Sequence, residues 1–212
     1  MALETRGALY ALVLEPPGNE ARELSLYRRR IFSALGDASA LAFPDAAPLA
    51  FGLRLRSADS PKAGLARAAL EPALSALWKE RSEGFASAGG LVEAGGSLYL
   101  GLGSSFEALA ADAAGILGGL GLGPLAAEGA ETASGALSCP WRAGLGFFVC
   151  GRSSLEAAAA LSPPALSFFD SALALYRLEP GPDPFQALSW RTVAEVRRLS
   201  GPRRGRGSAP RP

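Results

Sequence analysis

Apolar residues along this chain switch repeatedly between runs of strand length and recurrences of helical period, and the switching predicts an order of elements. The stretch ALYALVLEPP, Ala8 to Pro17, is almost wholly apolar and ends in two prolines, which predicts a buried strand. Asn19 is then expected to cap a helix in which Leu24, Tyr27, Ile31 and Leu35 recur at helical spacing, with Gly36 as its stop. A Phe43-Pro44 stretch leads into a strand reaching about Leu55, and Ser60-Pro61 opens a second helix with Leu70, Leu74, Leu77 and Trp78 near one face. Pro72 should kink or restart that helix, because it lacks the backbone donor. Two short strands, Phe85 to Leu91 and Ser97 to Leu102, are expected around a glycine-rich turn.

The next helix should be capped by Ser104 or Ser105, with Phe106, Leu109, Ala113, Ile116, Leu117 and Leu120 on its apolar side, and should end at Gly121 and Gly123. A strand within ALSCPWRAGLGFFVCG, a short alanine-rich helix near Ser154 to Leu161, and strands within ALSFFDSALALYRL and FQALSWRTVAEVRRL complete the series. The order is strand–helix–strand–helix–hairpin, then helix–strand–helix–hairpin. Such a mixture favours an α+β fold with antiparallel pairing over a doubly wound sheet.

Composition narrows the class. At 212 residues, 49% hydrophobic and 19% charged with net charge +1, the chain can bury one good core. No apolar run reaches membrane-spanning length, and the opening MALETRGALYALVLEPP does not read as a signal peptide, so a cytoplasmic protein without membrane association is expected. Cys139 and Cys150 give no disulfide framework, and with no histidine no metal pattern can be written. No cofactor is expected. Only Lys62 and Lys79 of the 21 basic residues are lysines, an arginine excess that a GC-rich genome produces without functional pressure. The arginines at 28, 29 and 30 span too wide an arc for one patch and read as a solvated face. The last sixteen residues carry six arginines and no acid, against 15 basic and 20 acidic residues before them. Residues 201–212 are therefore expected to be a disordered arginine-rich tail after a domain spanning 1–200.

Familiar chemistries fail on specific residues. YLGLGSSFEALAAD imitates a dinucleotide-binding start, but Phe106 stands where close helix–strand packing wants a third glycine. No acid lies about twenty positions on to hold a ribose. A serine nucleophile would lack its histidine base. Glu15, Asp45, Asp59, Asp112 and Asp170 are scattered, mostly at element ends, where caps and turns use them.

The order of elements and the local wording resemble the two-histidine phosphoesterases, the family of bacterial RNA ligase and cyclic phosphodiesterase enzymes. Their strands carry His-x-Thr pairs, commonly within Phe-Pro-x-His-φ-Thr-Leu, where φ is apolar. FPDAAPL aligns with this without a gap: Phe43, Pro44 and Leu49 match, while Ala46 takes the histidine slot and Pro48 the threonine slot. CPWRAGL offers a looser second match, with Trp141 in the histidine slot and Ala143 in the threonine slot. The resemblance covers roughly residues 7 to 200 and implies a bilobed fold, with two pseudo-twofold-related antiparallel sheet lobes, flanking helices and a central cleft.

In that family one histidine acts as general base and the other as general acid across a phosphodiester. Ala46 and Trp141 transfer no protons, so an acid–base step worth about 10²–10⁴-fold per group is lost. No catalytic residue is assigned, and an enzyme of the family's type is not expected. Pro48 also deletes a backbone donor, which predicts a bulge or an edge position there. Two functions remain in view. One is a catalytically inactive phosphoesterase-like protein binding a nucleotide or an RNA end through Arg54, Trp141 and Arg142. The alternative is a non-catalytic scaffold for a protein partner, with the cleft filled.

Overall fold

The first strand, Leu9–Glu15 (β1), forms the centre of a five-stranded sheet, a position that suits its almost unbroken apolar run. The computed structural model describes residues 9–55, 62–81, 90–124, 141–151, 155–166, 171–179 and 189–197. Among these the chain is α+β, with four α-helices and two antiparallel sheets. After β1 come α1 (Gly18–Leu35), β2 (Ala47–Leu55), α2 (Lys62–Arg81), the hairpin β3 (Leu91–Ala94) and β4 (Ser97–Gly101), and α3 (Ser104–Gly119). Then follow β5 (Leu122–Pro124), β6 (Gly146–Cys150), α4 (Leu155–Ala160), β7 (Ala172–Glu179) and β8 (Ser189–Arg197). One sheet runs β5-β2-β1-β7-β8 and the other β3-β4-β6.

This is the expected order with two additions, β5 and a 3₁₀ turn at Ala38–Leu41. Several boundaries differ. Helix α1 starts two residues earlier than an Asn19 cap would allow, behind Pro17 and with no side-chain cap. Gly36 ends it in the left-handed region (φ +68°), donating its N–H to the Phe32 carbonyl. Gly103, at φ +74°, rather than a serine, precedes α3. The hairpin turns at Gly95-Gly96, both at positive φ, so its first strand lies later than expected; residues 85–89 fall outside the described part. The strand expected within 136–151 narrows to Gly146–Cys150, with Trp141–Leu145 irregular before it. The arginine-rich tail also lies outside the described residues, and α2 continues through Pro72 as one element.

Both sheets sort their side chains by parity. Leu12 and Leu14 of β1, Leu173 and Leu175 of β7, Leu98 and Leu100 of β4, and Phe147 and Val149 of β6 join the helices in the larger core. Their neighbours Ala11, Val13, Ala174, Tyr99 and Phe148 enter a second, smaller cluster, to which both sheets contribute. Each sheet thus gives one face to the helices and the other to a shared aromatic cluster. One glycine of the YLGLGSS stretch serves the β4–β6 pairing. Gly101 faces Gly146 across β4 and β6, and a Cβ on Gly146 would stand 2.0 Å from the Leu100 carbonyl oxygen.

Strand β2 breaks the parity twice. Leu12 pairs with Ala50 and Val13 with Pro48, leaving Leu49 as an extra residue; Tyr10 pairs with Leu53 and Ala11 with Phe51, leaving Gly52 at φ +72°. Each bulge flips the faces that follow it, which is how Phe51 comes to the aromatic side. The first bulge adjoins Pro48, as the missing donor predicts.

Helix α1 is tied across the fold by the Tyr27 hydroxyl, which donates to the Ala158 carbonyl at 2.8 Å. Burial, helped by Cys150 and opposed by Arg30, pushes the Tyr27 phenol from 10.0 up to about 12. A folded-state pKa above the unfolded one means stabilisation that is complete below pH 10 and is lost as pH rises from 10 towards about 12. Denaturant titrations at pH 8, 10, 11 and 12 should therefore show a steep alkaline fall. Tyr27→Phe should cost roughly 1 kcal/mol at neutral pH by losing one hydrogen bond and should flatten that fall.

Candidate functional site

The two residues that the resemblance aligns with histidines, Ala46 and Trp141, both lie in the smaller cluster. Ala46, just before β2, and Trp141, on the segment before β6, are both buried there, 2% and 1% exposed. Their segments are joined directly, since the Gly144 N–H donates to the Pro48 carbonyl at 3.0 Å. Pro48 itself is buried, whereas Arg142 and Ala143 are exposed. The Arg142 guanidinium lies over Gly95 in the β3–β4 turn, 2.5 Å from where a Cβ there would stand. Arg54 sits opposite Gly123 of β5, and its side chain is outside the described part. Of the expected ligand-binding residues, only Trp141 thus lies in the cluster on the described geometry.

Aromatic rings surround Trp141 on several sides. Phe43 stacks on Trp141 with centroids 5.5 Å apart and planes at 24°, and Phe51 meets the same indole edge-on at 5.5 Å. Trp190, from edge strand β8, meets Trp141 at 5.1 Å and 61°, and Tyr176 packs on Trp190 at 6.4 Å. From the smaller sheet, Phe148 reaches Phe43 at 5.1 Å and Tyr99 at 5.9 Å. Such offset and edge-on pairs add about 0.5–1.5 kcal/mol each beyond area burial. Trp141 and Tyr99 are fully buried, while Phe43, Phe51, Tyr176 and Trp190 are half-buried and give the cluster an outer side.

Two polar features border it. The Tyr176 hydroxyl donates to Glu15 Oε1. Burial first, then that bond and the negative charges of Glu15, Glu195 and Asp45, raise the Tyr176 pKa far above the phenol range, so it stays a neutral donor. The second feature is Arg28, which the solvated-face expectation misplaced: it is 2% exposed. Its Nε donates to the Ala40 carbonyl, one terminal nitrogen to Asp45 and the other to the Phe43 carbonyl, each at 2.6 Å. Burial lowers the pKa of Arg28, and Asp45 works against that by charge and hydrogen bond. This clamp fixes the loop that carries Phe43 and Ala46. Asp45 is thus a structural partner of Arg28.

The indole N–H groups of Trp141 and Trp190 are both sealed from solvent and have no hydrogen-bond acceptor among the described residues. Buried indole N–H groups usually find a partner, and each one left without costs about 1–3 kcal/mol. Elsewhere, a groove of about 650 Å³ between α2 and α3 is lined by small and aliphatic residues with Glu80 and Asp112. No group of three or more histidine, cysteine or acidic residues able to hold a metal occurs among the described residues, and no described helix is long and apolar enough to cross a membrane.

Fold and site together define a two-sheet α+β protein with an apolar, tryptophan-centred cluster shared between its sheets. No match to this chain is found among protein-family models, curated proteins or solved structures.

Proposed function

We propose that this chain is a catalytically silent relative of the two-histidine phosphoesterases whose cleft has been refilled with aromatic side chains, and that it works by binding rather than by turnover. The observation that carries the reading is the convergence of Ala46 and Trp141 in one buried cluster fed by both sheets. Residues from two histidine slots of a catalytic cleft should lie together, and these do. The bilobed, pseudo-twofold arrangement is supported by how the helices cross: α1 follows a strand of the larger sheet yet lies against β6, while α3 follows a strand of the smaller sheet yet lies against β2 and β5.

Of the two expected functions, the packing favours the filled cleft over a pocket for a nucleotide or an RNA end. A phosphate buried there would need a paired cation, and the neighbouring guanidinium, that of Arg28, spends its donors on Ala40, Phe43 and Asp45. The test is calorimetry at low salt with 2′,3′-cyclic AMP and short RNAs, alongside chromatographic assay of cyclic phosphate opening. The expected result is neither saturable heat nor turnover above background. Saturable heat without turnover would restore the nucleotide-binding function, and turnover at an enzyme-like rate would overturn both.

A further inference from the structure

We propose that the arginine-rich segment after β8, Arg198 to Pro212, docks on the outer side of the aromatic cluster of its own chain. The inference goes beyond the reading of the cleft and does not depend on kinship with the phosphoesterases. It concerns what covers the half-buried rings.

The face is aromatic with an acidic border. Strand register puts Glu15, Ala172 and Arg197 in one row across β1, β7 and β8, and Val13, Ala174 and Glu195 in the next. Val13 and Ala174 belong to the aromatic cluster, so Glu15, Glu195 and Arg197 stand on that face of the sheet. Tyr176 and Trp190 lie further along the same face, half-buried. Asp45 adds a third carboxylate whose charge, with those of Glu15 and Glu195, acts on the Tyr176 phenol. Arg28 pairs with Asp45 and Arg197 with Glu195, but the bond from Tyr176 to Glu15 comes from a neutral hydroxyl and leaves that charge unbalanced. Asp45 and Glu195 keep 32% and 31% of their side chains exposed.

The occupant follows from where the sheet ends and what comes next. Strand β8 finishes at Arg197, already on the acidic border, where Glu195 and then Glu15 favour its charged form. The 15 residues beyond it hold five arginines and no acid. Extended, they reach about 50 Å, more than the roughly 30 Å length of β8. Arg203, Arg204 and Arg206 can therefore lie back over Tyr176 and Trp190. A guanidinium both stacks on such rings and pairs with carboxylates. Pro202, Pro210 and Pro212 suit an extended chain on an aromatic-lined surface.

The test is proton–nitrogen NMR of the full-length chain and of a variant combining Arg203→Ala, Arg204→Ala and Arg206→Ala, which alters no described residue. The indole signal identified by its loss in Trp190→Phe and the backbone amide of Glu195 should differ between the two proteins. The Trp78 indole, in the core on the helix side of the sheet, should coincide. Half-molar salt should move the wild-type signals onto those of the variant, because exposed ion pairs are screened. A peptide of residues 201–212 should bind the variant about fivefold or more tightly than wild type, whose tethered segment competes at a roughly millimolar effective concentration. Coincident spectra, differences that ignore salt, or equal peptide affinities would overturn the proposal. Differences that grow with protein concentration would move the segment to a second copy and overturn the contact within one chain. Low-salt RNA binding that is lost in the variant while the spectra of the two free proteins coincide would overturn it in favour of RNA. None of these results depends on cyclic phosphate turnover, so the proposal and the functional reading fail separately.

Discussion

Trp141→Ala should lower the unfolding midpoint by about 10 °C in a calorimetric scan. The indole is 1% exposed and meets Phe43, Phe51 and Trp190 within 5.5 Å. Truncating a buried aromatic of this kind costs about 3–5 kcal/mol, part from lost transfer free energy and part from the cavity. For a chain of this size each kcal/mol moves the midpoint by roughly 2–4 °C. Trp141→Phe should cost far less, since a ring remains and an unpartnered N–H disappears. A midpoint within about 2 °C of wild type for the alanine variant would mean that the cluster does not hold the two sheets together.

Arg28→Ala should be comparably damaging, at about 3–5 kcal/mol, because it strips partners from the Ala40 and Phe43 carbonyls and from Asp45 at once. Arg28→Lys should recover only part of this, since an ammonium cannot reproduce the guanidinium's fork of donors. Asp45→Asn should be milder, near 1 kcal/mol, as its side chain is 32% exposed and water replaces some of what is lost. Urea titrations of the three variants check the ranking. An alanine variant no weaker than Asp45→Asn would contradict the clamp.

The order of elements was legible because the apolar period changes cleanly between strands and helices, and the parity of β1, β4, β6 and β7 follows from it. What failed was local. Pro17 and Gly103 begin α1 and α3, so the side-chain caps expected at Asn19 and at Ser104 or Ser105 were not needed. Strand β5 has no period to read in its three residues, Leu-Gly-Pro, and exists only because β2 offers an edge. Arg28 carried a signal that its arginine neighbours obscured: it stands four residues after Leu24 and three before Ile31, on the buried stripe of α1.

The site was half legible. Ala46 and Trp141 were singled out in the sequence, and both lie in the buried cluster. Phe51 could not be, because the bulge at Leu49 in β2 reverses the alternation that would have located it. Tyr176 faces the cluster from β7, whose pairing with β1 spans more than 150 residues of chain, and Trp190 from β8, which joins the sheet only through β7; no local pattern encodes that long-range pairing.

The central place of β1 has a consequence for how the molecule is made. Its two partners are β2, encoded close by, and β7, encoded near the far end. On the ribosome β1 must therefore wait with one backbone edge bare until residue 179 has left the exit tunnel, and the larger sheet closes last. For that interval the growing chain carries this apolar strand as an open template for any neighbouring copy.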